Sequence, residues 1–264
     1  MAKAIATKKR GAVGPKLTKI QPKGDLLLQQ EQQQKSAVVG DFLPNIKLDN
    51  GEFLIDGESM GDTMDVIIIA YTHENRYYID QFVEGENAPP DCFALSMLPT
   101  EMVPHEKSGE KQEDTCDGCT YSAFGSSDNG KGKRCQNRVR LGVIPAADAK
   151  NIETAEVMSL NIPPTSLKAF NTYVTSLRNL DTMISFVVTR LTGTRVAKYT
   201  TVDFELQKQW VTQAIVNKGT LEKRIEEVYE DLLRPYEAVV DEAPKKPAKK
   251  RAAPKKRAKK TKLN

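Results

Sequence analysis

The sequence predicts a mainly β, α+β body bracketed by two cationic arms. Three observations carry that prediction. Short apolar, β-branched runs punctuated by Gly, Pro, Asn and Asp recur between residues 37 and 240, the pattern of strands. Two stretches in the same span repeat apolar residues at helical spacing. The charge is segregated: the formal +4 of the 264 residues conceals +7 over residues 1–24, −12 over 25–240 and +9 over 241–264. Asymmetry of that kind points to a polyanionic partner. No apolar run approaches the roughly 18 residues of a membrane span; the longest is Val66–Tyr71. The start of the chain is basic but has no apolar segment of secretory type.

Residues 1–36 read as a flexible basic arm and linker, with five Gly and Pro among its first 24 residues and a Gln-rich stretch after them. The body follows over 37–240. Phe53–Ile55 and Asp65–Tyr71 read as strands, the second buried by its β-branched run; Thr72–Asn75 reads as a turn, and Arg76–Phe82 as a returning strand. Residues 84–137 are rich in Gly, Pro, Ser and acids and too long for an ordinary loop. Strands resume at Arg138–Ile144 and Ala155–Ile162. Pro163 and Pro164 end the second, and Thr165 or Ser166 caps a helix over Leu167–Leu177. Met183–Leu191 and Arg195–Phe204 form a hairpin turning at Thr192–Thr194. A C-terminal helix over 219–234 stops before Pro235, and 241–264 is a disordered Lys/Arg/Ala/Pro tail. A helix between the third and fourth strands of a five-stranded barrel is the OB arrangement, a fold used for single strands and oligosaccharides.

All four cysteines lie in the segment with no evident core. Cys116 and Cys119 form a C-x-x-C knuckle whose spacing turns both thiolates toward one tetrahedral ion, and Cys92 and Cys135 complete a four-cysteine site. One structural Zn²⁺ is the leading reading, since it would order a segment unable to bury enough apolar area. An iron–sulfur cluster, a disulfide, a redox C-x-x-C and unrelated buried thiols are the alternatives, and His105 is a candidate substitute ligand. Gly125–Lys131 matches G-x-x-x-x-G-K in form only, because Gly132 stands where Ser or Thr must reach magnesium. No catalytic constellation emerges, and the expectation is a non-enzyme.

Lys131, Lys133, Arg134, Arg138 and Arg140 place five cations in ten residues without an acid. They are candidates for phosphate contacts, with ion pairing to the acidic stretch Glu101–Asp117 as the competing role. Arg76, Tyr77 and Tyr78 set a cation beside two aromatics, of which one at most can face a strand as a stacking platform. Arg190, Arg195, Lys198 and Tyr199 on the hairpin would extend the groove. Lys249, Lys250, Arg251, Lys255, Lys256 and Arg257 mark a tail able to track a phosphate backbone as a mobile polycation.

The run from Pro89 to Pro145 resembles a zinc-ribbon family of phages and mobile elements: an isolated Cys, then C-x-x-C, a Gly-Ser turn, and Gly130-Lys-Gly-Lys-Arg-Cys135 leading into an Arg-rich strand. In arrangement the chain is similar to the zinc-containing single-stranded-DNA-binding proteins of T-even phages, which insert a metal subdomain into an OB fold. Those proteins use a histidine ligand and end in an acidic tail, where this chain offers four cysteines and a basic tail. The resemblance implies a largely sequence-independent single-stranded-DNA-binding protein of phage DNA replication, located in the host cytoplasm or nucleoid, or in the nucleus of a eukaryotic host. Duplex DNA, RNA and replication proteins are the other expected partners, and no membrane is. The alternatives are a zinc-ribbon factor on duplex DNA and a metal-ordered protein-interaction module.

Overall fold

The computed structural model describes residues 43–79, 89–128, 130–197, 199–212, 215–216 and 218–236. The predicted arm over 1–36, Lys198 and the six tail cations lie outside these residues. No helix among the described residues is long and apolar enough to cross a membrane.

Nine strands form one mixed sheet: β1 (Asn45–Asp49), β2 (Glu52–Ile55), β3 (Glu58–Ser59), β4 (Thr63–Tyr77), β5 (Cys92–Ser96), β6 (Gln136–Pro145), β7 (Met158–Ile162), β8 (Val187–Val196) and β9 (Tyr199–Gln209). Helix α1 (Leu167–Asn179) lies between β7 and β8, and α2 (Thr220–Leu232) follows β9. Eight strands run in the order β3-β2-β1-β7-β6-β4-β8-β9, with β5 added to β4. Neighbours are antiparallel except β1 with β7. The fold is a curled, barrel-like, mainly β sheet with few helices.

β4 organises the body. One of its edges pairs with β6 from Val66 to Arg76; the other serves β8 at Thr63–Val66 and β5 at His73–Tyr77. The run Val66–Ala70 is buried throughout because both faces of the sheet are covered. Val66 and Ile68 join a core with Leu141, Leu160, Leu191 and Phe170 of α1. Ile67, Ile69 and Ala70 join a second core with Ile144 and with Leu221, Val228 and Leu232 of α2. A bulge between Ile68 and Ala70 gives Ile69 and Ala70 the same face and so keeps Tyr71 on the α1 side.

Three sequence expectations are corrected. Thr72–Asn75 is no turn: β4 continues through it to Tyr77, and Thr72, Glu74 and Asn75 are buried in the ladder. The polarity of Glu74 and Asn75 is met by partners described below, whereas the buried Thr72 hydroxyl has none among the described residues. The segment over 84–137 is not wholly an insertion, because Cys92–Ser96 is a strand of the sheet, with Phe93 and Ala94 buried. The hairpin turns at Ala197, not at Thr192–Thr194; Gly193 lies within β8 opposite Val202.

Gly193 serves a close approach instead. The Asn50-Gly51 turn joining β1 to β2 lies against it, so that a Cβ on Gly193 would stand 2.3 Å from the Gly51 carbonyl oxygen. Its amide donates to Asp62 O at 2.7 Å. Backbone on both sides leaves no flexible side chain to yield. Gly193→Ala is therefore expected to destabilise the fold by about 1–3 kcal/mol or more, the range for overpacking, as read by chemical denaturation.

Candidate nucleic-acid interface

The cysteines converge through sheet register. Tyr77 pairs with Cys92 across β4 and β5. Cys135, one residue before the Arg76–Gln136 pair, falls beside Tyr77 on the opposite edge. Tyr77, Cys92 and Cys135 pack together with Tyr121 against them, its ring centroid 4.5 Å from that of Tyr77. Cys116 and Cys119 arrive from the knuckle, where Gly118 takes φ +78, a conformation glycine adopts without strain. All four thiols line one small cavity of about 10 Å³ and are free of disulfides. Among the described residues no group of three or more His, Cys, Asp or Glu side chains stands as a preformed metal-holding set, so the thiols ring the cavity without closing on its centre. Burial pushes the Cys135 thiol up to about 12, and Cys116 and Cys92 add to the effect. Burial raises Cys116 too, against a hydrogen bond from Asn75. His105 is not on this cavity: its ring stacks on Phe93 at 4.9 Å. Met102 and Pro104 are the buried apolar residues between 97 and 134 among those described, so packing does little to order the segment.

The cysteine segment forms one wall of an open groove of about 710 Å³. Its floor is the α1-side face of β4 and β6, with His73, Asn75, Asn137 and Val139; Asn171 of α1 stands on the opposite wall. Lys133 Nζ donates to Asn137 Oδ1 at 2.9 Å, and Asn137 Nδ2 donates to Asn75 Oδ1 at 2.6 Å. A lysine and two amides are thereby held in line from rim to floor. Burial lowers the His73 pKa, which keeps its imidazole neutral at pH 7. A separate, shallower depression on α1 shares Asn171 with the groove and is lined by Lys168, Thr172 and Thr175. That helix contains Lys168 and Arg178 and no acid, within a body of charge −12.

The predicted cations divide by face. Arg76 and Arg140 lie on the opposite, α2-side face with Glu74, which is 0% exposed; Arg138 is among the residues lining the groove. Arg76 Nε donates to Glu74 Oε2 at 2.6 Å and Arg140 Nη2 to Glu74 Oε1 at 2.5 Å; the Tyr236 hydroxyl donates to the same carboxylate. The Tyr236 ring lies under both guanidiniums, at 5.2 Å from Arg76 and 4.8 Å from Arg140. Arg140 also donates to the carbonyls of Leu232 and Arg234, tying down the end of α2. Burial alone would raise the Glu74 pKa, but Arg140 and Arg76 outweigh it and hold the carboxyl below its usual range. Arg138 donates to Gln136 at 2.9 Å, and its buried Nε has no partner among the described residues.

Other predicted residues are bound elsewhere. Arg134 pairs with Asp128 and donates to the Ile79 carbonyl at 2.7 Å, fastening the cysteine segment to the end of β4. Tyr78, half-buried, also lies at that end. Arg190 forms a bidentate pair with Asp65 at 2.8 and 2.9 Å, across β4 and β8. Arg195 donates to Asn50, and Tyr199 is 50% exposed. Tyr77 is buried among the cysteines, so its ring has no free face for a base. Lys131 and Lys133 are exposed on the cysteine wall. Sequence reasoning missed Glu74, Asn75, Asn137 and the whole of α1 as a groove wall; the absence of acid from α1 is a signal that was there to be read. No protein family, curated protein or solved structure compared with this chain matches it.

Proposed function

We propose that the protein is a non-enzymatic single-stranded-DNA-binding protein whose body holds the strand in the groove between the zinc-ordered cysteine wall and α1. The observation that carries this is the groove itself: open, floored by amides, lined by Lys133 and Arg138 against one acid, Asp117, and bordered by an acid-free helix that carries Lys168 in an otherwise acidic body. Amides and a neutral imidazole suit base edges and sugars, while the lysines suit phosphates. A duplex carries twice the phosphate density along its axis and is repelled more strongly by the acidic body.

In this reading β7-β6-β4-β8-β9, neighbours in that order in the sheet with α1 between β7 and β8, are the strands of an OB-like barrel, with the cysteine segment between β4 and β6. One zinc, in the same reading, is held by Cys92, Cys116, Cys119 and Cys135, which all line one cavity. Zinc, when bound, supplies the fixed geometry and the positive charge that lets buried thiols ionise. The assignment to phage replication rests on the resemblance of residues 89–145.

Fluorescence anisotropy with a labelled oligothymidine, its RNA counterpart and a matched duplex, at two salt concentrations, tests the function. The single DNA strand is expected to bind tighter than the duplex at both salts. The gap is expected to widen as salt rises, because the tails' electrostatic contribution fades first. Equal or tighter duplex binding at high salt overturns the proposal.

A further inference from the structure

Phe124 is 82% exposed, the most exposed large apolar side chain among the described residues. Its position is built. Ser122 N donates to Cys119 O at 2.9 Å, and Gly125 N to Gly132 O at 2.6 Å. Ser126 Oγ donates to Tyr121 O at 2.8 Å and accepts from Arg134 N at 2.9 Å. Gly125 and Gly132 adopt φ +92 and +99, which reverses the chain sharply on either side of the loop. Tyr121, two turns of hydrogen bonding away from the ring, is packed on Tyr77 beside the cysteines. The loop is thus pinned to the cysteine cluster at its base while the Phe124 ring is held out in water. Its neighbour Ala123 lines the groove, as does Lys133 from the returning arm of the same loop.

An exposed apolar ring one residue from the groove's lining, on a loop whose returning arm carries Lys133, offers the two components of a single-strand site: a π-face for a base and a cation for the adjoining phosphate. We propose that Phe124 is the stacking platform on which a base rests as the strand enters the groove, taking the role the sequence suggested for Tyr77 or Tyr78. The inference rests on the reading of the groove as a single-strand site. Stacking needs only a ring face, so it adds affinity for any base and no sequence preference. Lys133, tied to Asn137, then sets the path from the platform to the amide floor.

The test uses the full chain and two variants, Phe124→Ala and Phe124→Trp. The probes are an oligothymidine and a deoxyribose-phosphate oligomer of equal length lacking bases. Phe124→Ala is expected to weaken oligothymidine binding roughly five- to 150-fold, the loss from removing one base–aromatic stack, and to leave the baseless oligomer and the melting temperature unchanged. Phe124→Trp is expected to restore affinity to within about threefold and to show indole fluorescence quenched by oligothymidine. The wild type is the blank, because its Trp210 indole is tied to Ser185 O at 2.8 Å. If the wild type binds oligothymidine and Phe124→Ala binds it equally, the stacking assignment falls and the groove reading stands. A wild type that binds no single strand removes both. A variant that binds both oligomers equally weakly, or melts early, marks Phe124 as structural and overturns the assignment.

Discussion

Glu74→Ala is expected to lower the free energy of unfolding by about 3–5 kcal/mol, the cost of removing one partner from a buried charge cluster. Glu74 is wholly buried, and the Arg76 and Arg140 side chains are only 15% and 11% exposed. The substitution would leave two guanidiniums desolvated with no carboxylate, and the Tyr236 hydroxyl with no acceptor. It also loosens the anchor that Arg140 provides at the carbonyls of Leu232 and Arg234. Replacing the acid and both arginines together by apolar residues of similar volume should cost far less, because no charge is then stranded. The same site sets an acid limit. The folded pKa of Glu74 lies below its ordinary value of 4.5, so its stabilisation is complete above that value. It is lost as pH falls from there through the folded pKa. Denaturation midpoints of the wild type should therefore drop below about pH 4.5, with a flatter acid limb in Glu74→Gln. Wild-type stability in Glu74→Ala would show that the cluster is not the clamp described.

Cys116→Ser and Cys135→Ser are expected to abolish metal retention and to unfold the cysteine segment while β4, β6 and both cores persist. Met102 and Pro104 are the apolar residues buried among those described between 97 and 134, so on the proposed zinc reading ligation would supply most of the energy that orders this wall. With the wall gone, Lys133 and Phe124 lose their positions, and affinity for a single strand should fall by more than about tenfold, or about 1.4 kcal/mol. Elemental analysis of reductant-purified protein should find about one zinc per chain. A strong chelator should reproduce the loss of binding, and added zinc should reverse it. Variants that keep wild-type protease resistance and strand affinity would reduce the thiols to ordinary buried side chains.

Much of the architecture was legible because it is local. The apolar runs at 65–71 and 138–144 lie on β4 and β6, that at 155–162 becomes strand from Met158 as β7, and the periodic segments 167–177 and 220–233 match α1 and α2 to within two residues. What was illegible depends on distant partners. Thr72-His73-Glu74-Asn75 has the composition of a turn, yet it is strand because Arg140, Tyr236 and Asn137 satisfy it from 62 to 162 residues away. Gly193 carries the signature of a hairpin turn but answers a close approach by Gly51. Spacing grouped Arg138 and Arg140 with Lys131, Lys133 and Arg134 and set Arg76 apart with Tyr77 and Tyr78, whereas the fold joins Arg76 to Arg140 through Glu74. Spacing did not reveal the single buried carboxylate that engages both. Phe124 was passed over because a phenylalanine is buried by default, and only the loop's own hydrogen bonds show that this one is not.

The central claim is that the acidic body, and not its basic ends, recognises the single strand. It is tested most directly by anisotropy titration of zinc-loaded chain lacking residues 241–264 against a single strand and a matched duplex. The expected result is weaker binding overall, because the polycation is gone, with the single strand still preferred. Loss of all binding, or a duplex affinity equal to that for the single strand, would contradict it.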